Sequence, residues 1–182
     1  MKQVKYDLVL IGATGFTGKL VAEYIAKEYG VKNEHFVWAI AGRNKNKLSS
    51  LKNYLKDIDP EAQNLPALLA DNHDRNSLDS ITSVTRVIIS TVGPYLKYGK
   101  KLVESCASNG ADYCDLTGEV PFIRESIDSY NTIAQDNNCR IIHSCGFDSI
   151  PSDIGVLMLQ EEAIKRYGEP FSRVKLYARS MK

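Results

Sequence analysis

The 182-residue chain has almost no net charge: 23 Lys and Arg stand against 22 Asp and Glu, a formal +1 at pH 7. So even a balance provides no global field to hold nucleic acid or an anionic membrane surface, and any anion has to be bound locally. The sequence also lacks C-x-x-C pairs. Its four cysteines, Cys106, Cys114, Cys139 and Cys145, show neither a metal-ligand spacing nor the framework of a small secreted domain, so a reduced, cytoplasmic chain without a metal site is expected. Long apolar runs are missing too. The N-terminal "MKQVKYDLVLIGA" places two lysines before an apolar stretch, but that stretch is short and runs into glycines, unlike a signal peptide or a transmembrane span. Internal repeats and low-complexity tracts are absent. What the chain does have is a hydrophobic fraction of 43%, enough to build the core of one domain with part of another.

Short apolar runs alternate with longer amphipathic segments, the pattern of a parallel sheet joined by crossover helices. Strands are predicted at Tyr6–Ile11, Phe36–Ala41, Ala67–Ala70, Arg86–Ser90, Asp112–Asp115 and Arg140–His143. Helices are predicted at Thr17–Glu28, Asn44–Leu55, Arg75–Ile81, Tyr98–Asn109 and Pro121–Asn137. "VLI", "AIA" and "VIIS" are apolar on consecutive residues, as strands covered on both faces require. The polar segment "NKNKLSSLKNYLKDIDPEAQNLP" keeps Leu48, Leu51 and Leu55 at helical spacing and reads as a solvated helix and loop. After Pro151 a further helix is expected to about Tyr167, where "YGEPFS" breaks it. Val174, Leu176 and Ala178 then alternate with Lys175, Tyr177 and Arg179, as in a half-buried strand. With no later sequence to pair with, that strand points to a chain that stops inside a second domain.

Three glycines punctuate the first strand-to-helix junction, "LIGATGFTGKL". Without a Cβ, Gly12 allows a sharp turn, Gly15 allows a diphosphate to approach the backbone, and Gly18 allows the helix to pack close to the strand. The unpaired N–H groups of the helix start then face an anion, and a dinucleotide pyrophosphate fits that geometry. The spacing is G-x-x-G-x-x-G rather than G-x-G-x-x-G, and its signal comes from lying between a strand and a helix. A P-loop fails at both ends, because its leading glycine is Ala13 here and its hydroxyl residue is Leu20. The alternative is that the glycines serve only a tight turn.

The second strand runs into "AIAGRNKNK", where Arg43 follows Gly42 with no acid before it. An acid at this point would favour the ribose hydroxyls of NAD; an arginine fork favours the 2′-phosphate of NADP. A solvated Arg43 at a helix start would oppose the macrodipole. After the third strand, Asp71 and Asn72 either reach an adenine or cap the next helix. "STVGPY" closes the fourth strand, and Thr91, Val92, Gly93 and Pro94 are expected to line the nicotinamide half at the switch point between the first and fourth strands.

At the later strand ends, Asp115, Thr117, Glu119, His143, Cys145, Asp148 and Ser149 are candidates for substrate contact. His143 reads first as a satisfied buried histidine, and Cys145 lacks a third orienting group for nucleophilic catalysis. The Tyr-x-x-x-Lys pair of short-chain dehydrogenases is absent, since none of the ten tyrosines has lysine four residues later.

"YDLVLIGATGFTGKLVAEYI", "WAIAGRNKNKL", "VIISTVGPYLKYGKKLVESCASNGADYCDLTGE" and "HSCGFDSIPSDIGV" together resemble the saccharopine dehydrogenase-like oxidoreductases, a group that includes trans-acting enoyl reductases. The resemblance runs to about residue 159. It implies an α/β Rossmann-type doubly wound parallel sheet binding NADP over residues 1–150, then the truncated start of a second α+β substrate domain over 151–182, since members of this family are longer. By the resemblance, Gly12, Thr14, Gly15, Phe16 and Thr17 match the phosphate loop, Arg43 the 2′-phosphate position and Thr91–Tyr95 the nicotinamide-side loop. The full cofactor-binding set expected is Gly12, Ala13, Thr14, Gly15, Phe16, Thr17, Arg43, Asn44, Asp71, Thr91, Val92, Gly93, Pro94 and Tyr95. No catalytic residue is assigned. The implied function is NADP-dependent hydride transfer to a lipid enoyl or an imine or amino-acid compound, with this fragment alone inactive. The alternative is an NADP(H)-binding regulatory or scaffold module without turnover. A small-molecule or lipid-like substrate is the expected partner, without nucleic acid and with a homodimer left open.

Overall fold

Strands that are apolar on every residue need cover on both faces, and the chain provides it. In a computed structural model describing residues 3–177, six parallel strands lie in the order β3-β2-β1-β4-β5-β6. They are β1 (Tyr6–Ile11), β2 (Trp38–Gly42), β3 (Ala67–Leu69), β4 (Thr85–Ser90), β5 (Asp112–Asp115) and β6 (Ile141–Ile142). The helices are α1 (Phe16–Tyr29), α2 (Lys45–Leu55), α3 (Arg75–Thr82), α4 (Tyr95–Tyr98), α5 (Lys100–Asn109), α6 (Val120–Asp136) and α7 (Ile150–Tyr167). This is the doubly wound Rossmann arrangement, whose strand order reverses between β1 and β4.

The period-2 pleat sends alternate residues to opposite cores. Val9 and Ile11 of β1, with Ala39, Ala41 and Ile88, face Leu78 of α3, Leu102 and Val103 of α5 and Phe122 of α6. Leu10, Trp38 and Ile40 face Ala22 and Ile25 of α1 and Leu48, Leu51 and Leu55 of α2. Register keeps the two sets in line, with Val9 opposite Ala39 and Ile88, and Leu10 opposite Ile40 and Ile89. Trp38 is fully buried and its indole N–H donates to Gly30 O at 3.1 Å.

Several expected boundaries shift for tertiary reasons. β2 starts at Trp38 rather than Phe36, and β6 contracts from four residues to Ile141–Ile142 at the sheet edge. The helix expected from Tyr98 is two, α4 and α5, separated by Gly99, where a Cβ would lie 2.7 Å from Phe122 Cζ. Within the polar segment after α2, a 3-10 turn at Pro60–Asn64 buries Ala62, followed by buried Leu65. The half-buried strand expected at Val174 is not formed: residues 173–177 have no regular structure, and no strand lies there to satisfy its backbone. Ala178 and Arg179 of that pattern lie outside the described residues. α7 buries only Ala163, so its apolar side chains, among them Ile154, Leu157 and Met158, remain exposed. Among the described residues, no helix is long and apolar enough to cross a membrane.

One close contact joins α1 to the sheet. A Cβ on Gly18 would lie 2.2 Å from Gly12 O and 2.8 Å from Ala13 Cα, so only glycine allows the first turn of α1 to sit at this distance from the end of β1. Gly18→Ala is expected to cost about 1–3 kcal/mol by overpacking, outweighing the roughly 1 kcal/mol that Ala ordinarily gains over Gly inside a helix. Urea unfolding checks this, and a variant as stable as the parent would show that α1 shifts without cost.

Candidate functional site

The carboxyl ends of β1, β2, β3 and β4 open onto one cleft of about 270 Å³. It is lined by Ile11, Gly12, Thr14 and Gly15 at and after the end of β1, Gly42 and Arg43 at and after the end of β2, Ala70, Asp71, Asn72 and His73 after β3, and Thr91, Val92, Gly93 and Tyr98 after β4. Open α/β sheets bind ligands at this switch point.

At the β1 end, Gly12 has φ +87° and turns the chain. A Cβ there would meet Val92 Cγ2 at 2.7 Å and Thr91 Oγ1 at 2.8 Å, so the same glycine admits the β4 loop. The Gly15 N–H closes the turn onto Gly12 O at 3.0 Å, and the first bond of the α1 ladder runs from Lys19 N to Gly15 O at 2.9 Å. The N–H groups of Phe16, Thr17 and Gly18 therefore precede the ladder, beside the cleft and at the positive end of the helix dipole. No side chain caps this helix. A Cβ on Gly15 would touch only Gly12 O, at 3.3 Å, and its φ of −80° suits any residue. Gly12 is thus required by its backbone conformation and by its neighbours, whereas at Gly15 only space is at stake.

Opposite this turn, Arg43 is exposed at the cleft and takes part in none of the ion pairs among the described residues. A guanidinium so placed can take a phosphate as a fork. Its neighbour Asn44 does different work: the side chain caps α2 by accepting Lys47 N–H at 3.0 Å. On the β3 side, Asp71 accepts His73 N–H at 2.9 Å and holds the turn, while the cap of α3 is Asp74. Asn72 donates to Tyr98 O at 2.9 Å, and the His73 and Tyr98 rings meet edge to face at 5.3 Å.

Of the residues expected from sequence, Gly12, Thr14, Gly15, Arg43, Asp71, Thr91, Val92 and Gly93 are brought together in the cleft. Ala13, Phe16, Thr17, Asn44, Pro94 and Tyr95 are not among its lining residues. Ala13 is fully buried in the α1/α2 core and Phe16 points into solvent. Tyr95 turns inward, its hydroxyl donating to Ser90 O at 3.0 Å; burial first, then the charges of Asp115 and Glu119, push its pKa up to about 12. His73 and Tyr98 line the cleft without having been singled out, because nothing local in sequence marks their approach.

The later strand ends form a separate, buried network. Asp115 Oδ2 accepts the Tyr113 hydroxyl at 2.8 Å and lies 2.8 Å from His143 Nδ1, while Oδ1 accepts the N–H groups of Thr117 and Ser144. His143 Nε2 is 3.0 Å from Ser126 Oγ, and its side chain is only 7% exposed. Every polar atom of the imidazole is thus satisfied, as for a structural histidine. Asp148 is exposed, and Ser149 caps α7 without a side-chain bond.

Comparison with known proteins places these features in company. Residues 8–142 match the family model described as the saccharopine dehydrogenase NADP-binding domain. A Mycobacterium tuberculosis protein named trans-acting enoyl reductase is 43% identical over 161 residues, covering 88% of this chain and 37% of that protein. A Mycobacterium leprae protein of the same name is 42% identical over 166 residues, covering 91% and 38%. The chain therefore spans little more than a third of these curated relatives. Saccharopine dehydrogenase (L-Glu forming) from Saccharomyces cerevisiae superposes with a TM-score of 0.65 at 18% identity, over 88% of this chain and 32% of that one, a likeness of fold alone.

The thiols at the strand ends are poorly suited to nucleophilic chemistry. Burial, then the charges of Cys145, Asp115 and Asp112, push Cys114 up to about 12; burial and Asp115 raise Cys145 as well. A raised pKa leaves the thiol protonated below it, so at pH 8 the Cys114 thiolate fraction is on the order of 10⁻⁴. Iodoacetamide at pH 8 is expected to leave Cys114 unmodified in the native chain and to label it after denaturation. Peptide mass spectrometry checks this, and rapid native labelling would refute it.

Proposed function

Since the chain belongs to the saccharopine dehydrogenase NADP-binding domain family, we propose that it forms the cofactor half of an oxidoreductase that transfers a hydride between NADP(H) and an organic substrate. The cleft at the β1/β4 switch point carries this reading, because it gathers a glycine turn, a free-standing guanidinium and the β4 loop on one surface. In this reading the N–H groups at the start of α1 take the pyrophosphate, and Gly15 leaves room for it against the backbone. Arg43 takes the 2′-phosphate. Asp71 and Asn72 border the adenosine end, and Thr91, Val92 and Gly93 form a wall of the nicotinamide end. Bound NADPH supplies the hydride from its nicotinamide ring; the chain's own residues bind and orient the ring and keep water from one of its faces.

The substrate reading follows the closer relatives. Proteins more than 40% identical to this chain are named enoyl reductases, whereas the likeness to saccharopine dehydrogenase supports only the fold. We therefore infer an enoyl group, in a small-molecule or lipid-like substrate, as the hydride acceptor. Residues 1–150 make up the cofactor unit and 151–182 begin a substrate unit, an arrangement supported by α7, which buries one residue where the helices beside the sheet bury several.

Two substitutions separate the parts of this reading. The chain is expected to bind NADPH more tightly than NADH, with Arg43→Ala losing most of the difference, about ten- to a hundredfold. Calorimetric titration of both cofactors tests it, and equal affinities in the parent would overturn the assignment of Arg43. Gly15→Val is expected to abolish NADPH binding while the domain stays folded, at a modest cost in melting temperature, because the added side chain fills ligand space and its Cβ would press on Gly12 O only 3.3 Å away. A variant that unfolds early yet still binds NADPH would make Gly15 a turn residue only.

A further inference from the structure

Glu119 is the residue just before α6, yet its side chain makes no capping bond to that helix. Glutamate is not a favoured N-cap, and here its carboxylate reaches a different element. Oε1 accepts the Tyr95 N–H at 2.6 Å and Oε2 accepts the Leu96 N–H at 2.9 Å, so both oxygens serve the start of α4. These bonds are charge-assisted, and a single carboxylate satisfies two donors that have no acceptor in a four-residue helix. Glu119 is itself held in place. Its N–H donates to Thr117 Oγ1 at 3.0 Å, and Thr117 N–H donates to the buried Asp115 carboxylate at 3.0 Å. The segment it grips is the β4 loop. Thr91 anchors the start of that loop to β1, its N–H donating to Ile11 O at 3.0 Å and its hydroxyl to the same oxygen at 3.2 Å. Glu119 anchors the far end, and Val92 and Gly93, which line the cleft, lie between the two anchors.

We propose that Glu119 is a positioning residue for the nicotinamide end of the cleft: it ties the β5–α6 loop to the start of α4 and so fixes the wall formed by Val92 and Gly93. This rests on the reading of the cleft as an NADP site. Glu119 makes no bond to Arg43, Asp71 or Asn72 at the adenosine end, which meets α4 only at its far end through the bond from Asn72 to Tyr98 O and the edge-to-face contact of His73, so its loss should be felt chiefly at the nicotinamide end. Simple damage to the fold would be felt at both.

The test uses the 182-residue chain and two probes, NADPH and adenosine 2′,5′-bisphosphate, which carries the adenine and 2′-phosphate but no nicotinamide. Glu119→Ala is expected to weaken NADPH about tenfold, the scale of losing charge-assisted bonds that hold a loop, and to leave the bisphosphate within about twofold. Glu119→Gln keeps the shape and one acceptor and should fall between Glu119→Ala and the parent for NADPH alone. Amide exchange at Tyr95 and Leu96, read by NMR, should accelerate in Glu119→Ala and provides a readout if the affinities are small. Unchanged NADPH affinity in Glu119→Ala, or an equal loss for both probes, would overturn the positioning role. A parent chain that binds neither probe would overturn the NADP reading, and the proposal with it.

Discussion

The approach of α1 to β1 is the constraint on which the cleft depends. At Gly18 the helix comes so near the Gly12 carbonyl that any side chain would overlap it. That distance decides where the first turn of α1 points its N–H groups, while the missing Cβ of Gly12 itself leaves the room that Val92 and Thr91 occupy. The β4 loop can therefore stand beside the glycine turn rather than above it. A helix displaced by the width of a methyl group would carry those N–H groups away from the β4 loop, which is anchored to β1. Packing density sets this tolerance, since interiors close-packed like organic crystals transmit such displacements rather than absorb them.

What was legible in the sequence had local causes. β1 and β5 run over the residues expected of them, and α2 begins where Asn44 caps it. The glycine turn and Arg43 were visible because each follows its strand directly, and strand order then brings them together. His143 has both ring nitrogens partnered, as expected from how often such polar groups are structural. Features with nonlocal causes were hidden. The need for glycine at position 99 comes from Phe122, some twenty residues away, and Tyr98 O takes its bond from Asn72 across the cleft. Glu119 sits at a helix start and would ordinarily be read as belonging to that helix. The alternation around Val174 does imitate a strand, but alternation states only which side chains could share a face and cannot provide a backbone partner.

Two electrostatic regimes lie along the carboxyl edge of the sheet. On the β1–β3 side the cleft is open and Arg43 is solvated, an arrangement fit for an anion that comes and goes. Toward β5 and β6 the charge is enclosed: Asp115 is buried and takes four hydrogen-bonding partners, Tyr113, His143, Thr117 and Ser144. Buried polar groups left unpaired are expensive, so a network satisfied in this way holds its loops in one arrangement. The β4 loop stands between the two regimes and receives its shape from the enclosed side while presenting a surface to the open one.

Trp38 is the chain's one tryptophan, sealed between β2 and the α1/α2 layer. Its emission therefore registers the melting of the sheet and that layer. α7, with a single buried residue, contributes to far-ultraviolet ellipticity but gives no residue to the cluster packed around that chromophore. A helix with so little packing opens at a lower free energy than the sheet it follows. Optical melts of this chain by the two signals should consequently not superimpose, and treating either as an all-or-none transition would assign to the whole molecule the cooperativity of one part.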